Sequence, residues 1–442
     1  MDVAQTFSTF LENLKIKNRS EISNRYKKIT KVLNQSYWNS ESETSHSLQV
    51  GSYGRGTAIN GISDLDMIFI LPWSVYSRFN SYESNGQSAL LQEVKRVILQ
   101  TYSTTKIGGD GQVIAVKFGN HTVEVLPAFE HEDGSFKYAD SNNGGSWKNT
   151  KPRLEQNAIN DLNNNCNNNL KPLCKMVRAW KNHVGVGIGG LLIDTLCFNF
   201  IQESDYQNKG YLYYDVLARD FFLYLSEQKK QSFWYAPGSH QKVYKKENFI
   251  GKAKKAYNKC LEAIKNQDYK KSYKLWKEVF GKPFPSAQDM GERKTIQAIS
   301  FDDTEEFIED KFSVDIRNSV TIDCIVSQKG FRDIFLSRIL KNSKLKYPLY
   351  RNKSLEFRVI RTDLKEPYEI YWKVRNIGGK AEKINQIRGQ ILSDQGRRNK
   401  RESSRFHGPH YVECYLVKDG ICVARERIDV PISTQVSENL IE

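Results

Sequence analysis

A glycine–serine turn and two closely spaced aspartates stand out in the segment GSYGRGTAINGISDLD. Because glycine has no side chain, the backbone amides at Gly51 and Ser52 can approach a phosphate closely, and the Ser52 hydroxyl adds a further donor. We expect residues 53–59 to begin a helix whose N-terminus faces that phosphate. The segment therefore predicts a phosphate-binding turn just ahead of a pair of acids, Asp64 and Asp66.

The two aspartates occupy alternate positions of an apolar run, 64–71, that predicts a β-strand. Alternation along a strand places both carboxylates on one face, while Leu65 points into the core. Glu124, on the apolar strand VEVLPAF, is the candidate for a third acid, although a solvated strand face would also explain it. Three carboxylates can hold Mg²⁺, which prefers oxygen ligands. With two metal ions, such a site activates an attacking hydroxyl and holds a leaving pyrophosphate.

Two better-known phosphate-binding patterns are missing from the chain. There is no GxxxxGK[ST] segment, which excludes a P-loop. There is also no GxGxxG followed by an acidic residue about 20 positions later, which excludes a dinucleotide-binding Rossmann fold. A Gly-Ser pair or an Asp-x-Asp is common by itself, but the two in this order, followed by an apolar strand and a later acid, are rare together. The combination favours nucleotide chemistry at paired metal ions.

Composition adds broad limits to this interpretation. The formal net charge of +15 attracts polyanions such as nucleotides or nucleic acid, without choosing among them. No apolar run approaches the ~20 residues that cross a bilayer, and the N-terminus lacks the signal-peptide pattern. We therefore expect a cytoplasmic chain that does not enter a membrane. The seven cysteines form no CxxC pair, so we expect reduced thiols and neither disulfides nor zinc.

The elements that must position these residues follow from periodicity. Residues 1–45 predict helices, whereas 112–118 and 121–126 predict two strands joined by a tight turn at Gly119-Asn120. Among the later strands, Asp419-Gly420 is a strong hairpin signal. We predict an α+β chain with a catalytic core and N-terminal helix at 1–155, a helical half at 156–300, a connector at 301–345 and an all-β sandwich at 346–442.

Several further residues are weaker candidates for contact with a nucleotide. Lys175 and Lys181 flank the helical segment LCKMVRAWKNH and could reach a triphosphate, although lysines on a helix are more often solvated. Ser239 could lie near the base, and a plain loop is the alternative. The basic run 397–405 either binds nucleic acid electrostatically or forms a solvated loop.

The GS…DLD segment with VEVLPA resembles the DNA-polymerase-β-like nucleotidyltransferases, and most closely the bacterial CD-NTases, the SMODS group related to cyclic GMP–AMP synthase and oligoadenylate synthase. The segments SWKNTKP, LCKMVRAWKNH and WYAPGSHQKVYKKENFIGKAKKA are similar to the helical half of that family. YWKVRNIGGKAE and HGPHYVECYLVKDG resemble the AGS-C domain that is fused to or found beside such enzymes. Together these segments span most of the chain.

The resemblance implies roles for individual residues. Gly51 and Ser52 would bind the triphosphate, and Asp64 and Asp66 would hold Mg²⁺ or Mn²⁺, with Glu124 as the third acid. The family usually has aspartate at this third position, and glutamate moves the carboxylate outward by one methylene. The family also commonly has lysine where this chain has Arg178. An arginine can still bind phosphate, in bidentate geometry.

The resemblance further implies an activity, in which nucleoside triphosphates are joined into short cyclic or linear oligonucleotide second messengers in bacterial antiphage defence. Expected partners are ribo- or deoxynucleoside triphosphates, a nucleic-acid or other activating ligand, an effector protein that binds the product, and further copies of the chain. Three alternatives stay open: a linear polymerase of ribo- or deoxynucleotides, nucleotidyl transfer to a protein or transfer RNA, and a binding module that has lost catalysis.

Overall fold

The computed structural model describes residues 1–61, 64–296, 305–342, 349–350, 352–377, 388–404, 408 and 410–432. The chain divides into two compact units, Met1–Ala298 and Ile299–Glu442. Each unit has hydrophobic clusters of its own. No helix among the described residues is both long and apolar enough to cross a membrane. All seven cysteines are buried and free, as the sequence predicts.

The first part of the first unit is a mixed sheet with helices. Its elements are α1 (Val3–Asn13), α2 (Arg19–Trp38), β1 (Ser47–Gln49), α3 (Gly51–Gly54), β2 (Leu65–Ile70), α4 (Trp73–Asn80), α5 (Gly86–Thr101), β3 (Lys106–Asp110), β4 (Val113–Lys117), β5 (Thr122–Glu130), β6 (Phe136–Asp140) and β7 (Ser146–Thr150). The strand order is β1-β2-β5-β4-β3, and β6 joins β5 to β7. The strands β2 and β5 run parallel, which places their residues side by side in register.

One face of this sheet is closed by helices α2 and α5. Their apolar positions recur at helical spacing, so Ile29 and Leu33 on α2 and Leu90 and Val94 on α5 are all buried in one cluster with Leu65. The predicted hairpin is present, because Lys117 pairs with Thr122 and the intervening residues turn. Since Leu65 points into this helix-covered core, its neighbour Asp66 points to the opposite face of the sheet.

The rest of the first unit is largely helical. Its elements are α6 (Pro152–Asn165), α7 (Leu170–Val184), α8 (Gly190–Glu203), α9 (Tyr214–Ser226), β8 (Phe233–Tyr235), β9 (Lys242–Tyr244), α10 (Ile250–Lys265), α11 (Tyr269–Phe280) and α12 (Ala287–Ile296). The N-terminal helix α1 packs here and not on the sheet, because Phe7 and Phe10 lie in one cluster with Trp276 and Phe280.

The second unit is a β-sandwich with two short helices. Its elements are α13 (Ile308–Lys311), β10 (Ser313–Val314), β11 (Val320–Ser327), β12 (Ile334–Phe335), α14 (Leu336–Asn342), β13 (Ser354–Thr362), β14 (Glu369–Asn376), β15 (Arg388–Ser393), β16 (Asn399–Ser403), β17 (His410–Lys418) and β18 (Ile421–Val430). One sheet has the order β10-β18-β17-β14-β15 and the other β12-β11-β13-β16. Their facing side chains share one core, which includes Phe357 and Trp372.

Within 346–442 every described element is a strand, as predicted, and the helices α13 and α14 lie in the segment assigned to a connector. The segment assigned to a connector supplies strands, because β11 pairs along its length with β13. This segment contains alternating apolar residues such as Ile322 and Cys324. Their burial depends on a paired strand and on the facing sheet, so the segment alone does not reveal it. The Asp419-Gly420 turn is confirmed, with φ of 51° and 73°.

Candidate active site

The turn after β1 brings Gly51 against the side chain of Asp66. Gly51 has a φ of +60°, and a Cβ built there would lie 1.7 Å from Asp66 Oδ2. No other residue type fits this position, because both the backbone conformation and the contact exclude a side chain. The backbone N–H of Val50 also donates to the carbonyl of Asp66, at 2.9 Å. The glycine–serine turn is thus packed directly onto the strand that carries the acid.

The helix expected over 53–59 is much shorter and begins earlier, as α3, which spans Gly51–Gly54. The chain then turns back, because the N–H groups of Thr57 and Ala58 both donate to the carbonyl of Ser52, at 2.8 and 3.1 Å. Gly56, with a φ of +69°, ends the helical path. The prediction of a helix over 53–59 is therefore wrong, and the turn itself is the structural unit.

Asp66 and Glu124 are neighbours on the parallel strands β2 and β5. They are paired in register, so their side chains extend from the same face of the sheet. Burial, the Glu124 carboxylate and, more weakly, Asp64 raise the pKa of Asp66 to about 7, although Arg55 acts in the opposite direction. Asp64 stands just ahead of β2 and is exposed. The pair therefore concentrates negative charge at one point of the sheet.

A cavity of about 470 Å³ lies over this pair. Its lining consists of Gly51, Ser52, Arg55, Ile59, Asp64, Asp66, Glu124, Arg178, Lys181, Asn182, Gly190, Leu191 and Lys246. The structure thus brings together seven of the nine residues that the sequence analysis selected, while Lys175 and Ser239 are not in the lining. Sequence reasoning missed Arg55 and Lys246, although Arg55 lies within the glycine-rich motif.

Positive charge faces the acids across this cavity. Lys181 and Arg178 come from α7, and Lys246 follows β9. Burial and the neighbouring charges of Arg178 and Lys246 lower the pKa of Lys181. An anion placed between these three cations would relieve their repulsion, so this wall of the cavity is suited to a polyphosphate.

Arg178 is also part of a buried ion-pair network. Its Nη1 donates to Asp194 Oδ1 at 2.5 Å and its Nη2 to Oδ2 at 2.9 Å, while Arg55 Nε donates to the same Oδ2 at 2.7 Å. The Thr57 hydroxyl adds a fourth bond to Asp194, at 3.2 Å. Burial opposes ionisation of Asp194, but the two guanidinium groups outweigh it and lower the pKa of this carboxyl to about 2. Asp194 on α8 therefore holds both arginines at the cavity.

Ser239 and Lys175 occupy other positions. The Ser239 hydroxyl donates to Glu155 Oε1 at 3.0 Å, and Glu155 Oε2 lies 3.6 Å from Arg55 Nη1. Ser239 thus extends the buried network and is absent from the cavity wall. Lys175 is half-buried on α7, one turn before Arg178.

The paired acids Asp66 and Glu124 provide suitable ligands for a divalent cation. Asp66 and Glu124 lie side by side with a hydrogen bond between them, which leaves two hard-oxygen groups competing for one proton. A dication would replace that proton and remove the repulsion. Within the described part of the chain, no three His, Cys, Asp or Glu side chains converge as a preformed metal cage. The fit therefore rests on the Asp66–Glu124 pair, with Asp64 at the rim of the same cavity.

Comparison with known proteins adds two domain matches. Residues 1–163 match the model of the Second Messenger Oligonucleotide or Dinucleotide Synthetase domain, SMODS. Residues 302–433 match the Adenylyl/Guanylyl and SMODS C-terminal sensor domain, AGS-C. A probable cyclic nucleotide synthase from Bacillus cereus strain VD146 is 25% identical over 275 residues, covering 54% of this chain and 82% of that protein.

Solved structures with some similarity include two bacterial proteins. CdnC of Escherichia coli MS115-1, solved with ATP, is 14% identical to this chain. The match covers 65% of this chain and 99% of the CdnC chain, with a TM-score of 0.49. The di-nucleotide cyclase DncV of Vibrio cholerae is 12% identical to this chain. The match covers 55% of this chain and 70% of the DncV chain, with a TM-score of 0.47.

The paired acids and the facing cations, together with the SMODS match, define a nucleotidyltransferase site. The SMODS and AGS-C matches and the Bacillus cereus relative support a CD-NTase with a C-terminal AGS-C domain.

Proposed function

We propose that the protein joins nucleoside triphosphates into a short oligonucleotide, cyclic or linear, that acts as a second messenger. A 2′- or 3′-hydroxyl of one nucleotide attacks the α-phosphorus of another. The new phosphodiester bond forms as the bond to pyrophosphate breaks, and the hydroxyl proton leaves to a base or to water. The observation that carries this proposal is the Asp66–Glu124 pair, in register under the Gly51 turn and facing three cations across one cavity.

Each side of the cavity has a separate task in this reaction. The amides of Gly51 and Ser52 and the cations Arg178, Lys181 and Lys246 bind the triphosphate and hold the leaving pyrophosphate. Asp194 keeps Arg178 in place, so this guanidinium is oriented before the substrate arrives. A preorganised array of cations stabilises charge that develops on the transferred phosphate without reorganisation during the reaction.

The acids Asp64, Asp66 and Glu124 would hold Mg²⁺ or Mn²⁺ at the opposite side. A bound divalent cation supplies Lewis-acid activation of the attacking hydroxyl and charge neutralisation at the phosphate. Glu124 extends one methylene further than an aspartate would, and its backbone lies directly beside that of Asp66. We propose that the longer side chain reaches the same cation.

The first experiment tests synthesis directly. Purified protein is incubated with each labelled ribo- and deoxynucleoside triphosphate, with Mg²⁺ or Mn²⁺, and the products are treated with phosphatase and separated by size. We expect a phosphatase-resistant product from the wild type and none from Asp66→Ala. The matched control is Asp161→Ala, which removes an exposed carboxylate on α6 and should leave the product unchanged.

The outcomes distinguish the remaining possibilities. A small product that resists phosphatase indicates a ring if its mass equals the sum of its nucleoside monophosphates less one water for each nucleotide. A ladder of sizes indicates a linear polymerase. Labelling of an added protein or transfer RNA would instead indicate nucleotidyl transfer to a macromolecule. Absence of any product, with metals and with nucleic acids added as activators, would contradict the proposal.

For the biological setting we propose bacterial antiphage defence in the cytoplasm, with an effector protein that binds the product. The CD-NTase family and the C-terminal sensor domain support this setting. The sensor domain would respond to a ligand or a partner, or organise an oligomer. Measuring phage plaque formation in cells that carry the wild type or Asp66→Ala tests the proposal, and equal plaque counts would contradict it.

A further inference from the structure

A second cavity, of about 750 Å³, lies in the C-terminal unit, where the edge strands β15 and β16 of the two sheets face each other. The turn over 394–398 connects the two strands, and the Asp394 carboxylate shapes it by accepting from the N–H groups of Gly396 and Arg398, at 3.0 and 2.7 Å. Arg388 on β15 bridges to Glu402 on β16 with two bonds, at 2.7 and 2.9 Å. Hydrogen bonds within the turn and between the two strands therefore fix the edges of the opening between the sheets.

The side chains inside this opening differ from those of a sandwich core. Leu392 pairs with Trp372 and so points inward, yet 54% of it is exposed. Lys400 pairs with the buried Phe357 and therefore also points inward, from the other sheet. An inward-facing leucine left uncovered, opposite an inward-facing lysine, indicates a gap that the described side chains do not fill.

Two groups in the wall of the same cavity, Trp372 Nε1 and the Arg397 side chain, lack a partner among the described residues. Trp372 is 1% exposed, lies in the cavity wall, and its Nε1–H has no hydrogen-bond partner among the described residues. A buried donor without an acceptor is destabilising. Arg397 has no ion-pair partner within the described segments, and Lys400 lies 3.5 Å from Glu402, which Arg388 already holds.

Positive charge predominates in the wall. Arg397 and Lys400 contribute this charge, whereas Arg401 lies 3.4 Å from Glu356 and, one residue after Lys400, points to the other face of its sheet. An inward-facing lysine on an edge strand can also prevent pairing with another sheet. That role does not explain the unpaired arginine. An anion with an apolar ring would fit this wall, because its phosphates meet the cations and its ring meets Leu392 and the edge of Trp372.

We infer that this cavity is a binding site for a nucleotide, separate from the catalytic cavity of the first unit. The ligand's phosphates would contact Arg397 and Lys400, and its base would lie against Leu392 and the edge of Trp372. The amide of Asn399, in the same wall, can bond the base or the sugar. The AGS-C domain would then detect nucleotides at a surface that performs no chemistry.

The test is hydrogen–deuterium exchange of the full chain titrated with ATP, with a chelator present to prevent synthesis. We expect ATP to slow exchange over residues 388–404, and adenosine without phosphates to have no such effect. The double variant Arg397→Ala/Lys400→Met should lose this protection, with each single substitution weakening the ATP dependence about tenfold. The matched control is Arg398→Ala, which removes the same charge from the same turn but from a side chain that pairs with Glu366 outside the cavity.

Two results would overturn the inference: no ATP-dependent protection over 388–404 in the wild type, or equal protection in the double variant. Protection of 388–404 by adenosine alone would overturn the assignment of an anionic ligand. Thermal unfolding of each variant checks that the sandwich is intact. Exchange over 47–70 reports the catalytic cavity in the same experiment, so failure at one site is distinguishable from failure at the other.

Discussion

Gly51 shows how one residue without a side chain determines the geometry of the site. Its φ of +60° lets the chain turn out of β1 directly beneath Asp66, and its missing Cβ leaves room for the Asp66 carboxylate. A glycine in a phosphate-binding turn is usually explained by its access to phosphate. Here a second reason applies, because any side chain would displace a carboxylate that we assign to the cation.

We therefore predict that Gly51→Ala lowers the rate of nucleotide joining about 100-fold, since displacement of a reacting group by ~1 Å has effects of that size. The product assay described above measures it, with circular dichroism as the check on folding. Gly134→Ala is the matched control: Gly134 has a φ of +76° and nothing within 4 Å of its built Cβ. If both variants keep full activity, the contact with Asp66 has no catalytic importance.

At the scale of elements, Asp194 ties three parts of the first unit together. It stands on α8, accepts from Arg178 on α7, and accepts from Arg55 just after α3. The carboxylate is fully buried, so Arg178 depends on it for neutralisation, whereas Arg55 also has Glu155 at 3.6 Å. The helical part of the unit is in this way connected to the turn that carries Gly51.

Replacing the carboxylate in Asp194→Asn should lower the free energy of unfolding by about 3 kcal/mol, because the buried Arg178 loses its counter-charge and Arg55 keeps only Glu155. Urea denaturation followed by circular dichroism measures this change. The control is Asp205→Asn, an exposed position beyond the end of the same helix, for which we expect no measurable change. An equal effect of both substitutions would mean that the network does not stabilise the fold.

The same carboxyl predicts a pH dependence of stability. Its pKa is lowered from 3.8 to about 2 in the folded protein, so its contribution is complete above pH 3.8 and is lost as the pH falls through 2. The difference in unfolding free energy between wild type and Asp194→Asn should therefore shrink by about 2 kcal/mol between pH 4 and pH 2. A difference that stays constant over this range would show that the charge of Asp194 is not responsible.

At the scale of the whole molecule, the chain has two units with separate cores. The clusters around Trp180 and around Phe69 lie within Met1–Ala298, and the cluster around Phe357 lies within Ile299–Glu442. Residues within one cluster stabilise that unit, since burial energy depends on contacts inside the core. Substitutions in one unit should therefore leave the unfolding of the other unchanged.

We predict two unfolding transitions in calorimetry of the full chain. Phe357→Ala should lower the stability of the C-terminal unit by about 4 kcal/mol, because a fully buried ring is replaced by a cavity. One transition should shift and the other stay in place. Phe331→Ala, at a position that is 72% exposed in the same unit, is the control with no expected shift. A single transition that shifts as a whole would contradict independent unfolding of the two units.

Local patterns in the sequence were sufficient for several features. Asp419-Gly420 predicts its hairpin because both residues readily adopt the positive φ that the turn requires. The alternation around Glu124 predicts a strand, and the spacing of apolar residues predicts the helices that cover the sheet. The glycine–serine turn and its following acids similarly indicated a phosphate site. In each case the controlling interaction joins residues near one another in the chain, so a short stretch contains the information.

Only the tertiary structure decided which distant residues meet. Asp66 and Glu124 become neighbours because β2 and β5 pair in parallel, and no local pattern specifies that pairing or its register. Arg178 is predicted from sequence as a phosphate ligand, but its pairing with Asp194 and the presence of Arg55 on the same carboxylate depend on how three elements pack. The helix expected over 53–59 fails for the same reason, since the bonds to the Ser52 carbonyl and the contact with Asp66 outweigh local helical preference. The sequence alone determined the chemistry available to this protein, and packing decided which groups share a cavity, because contacts between distant residues exist only after the chain has folded.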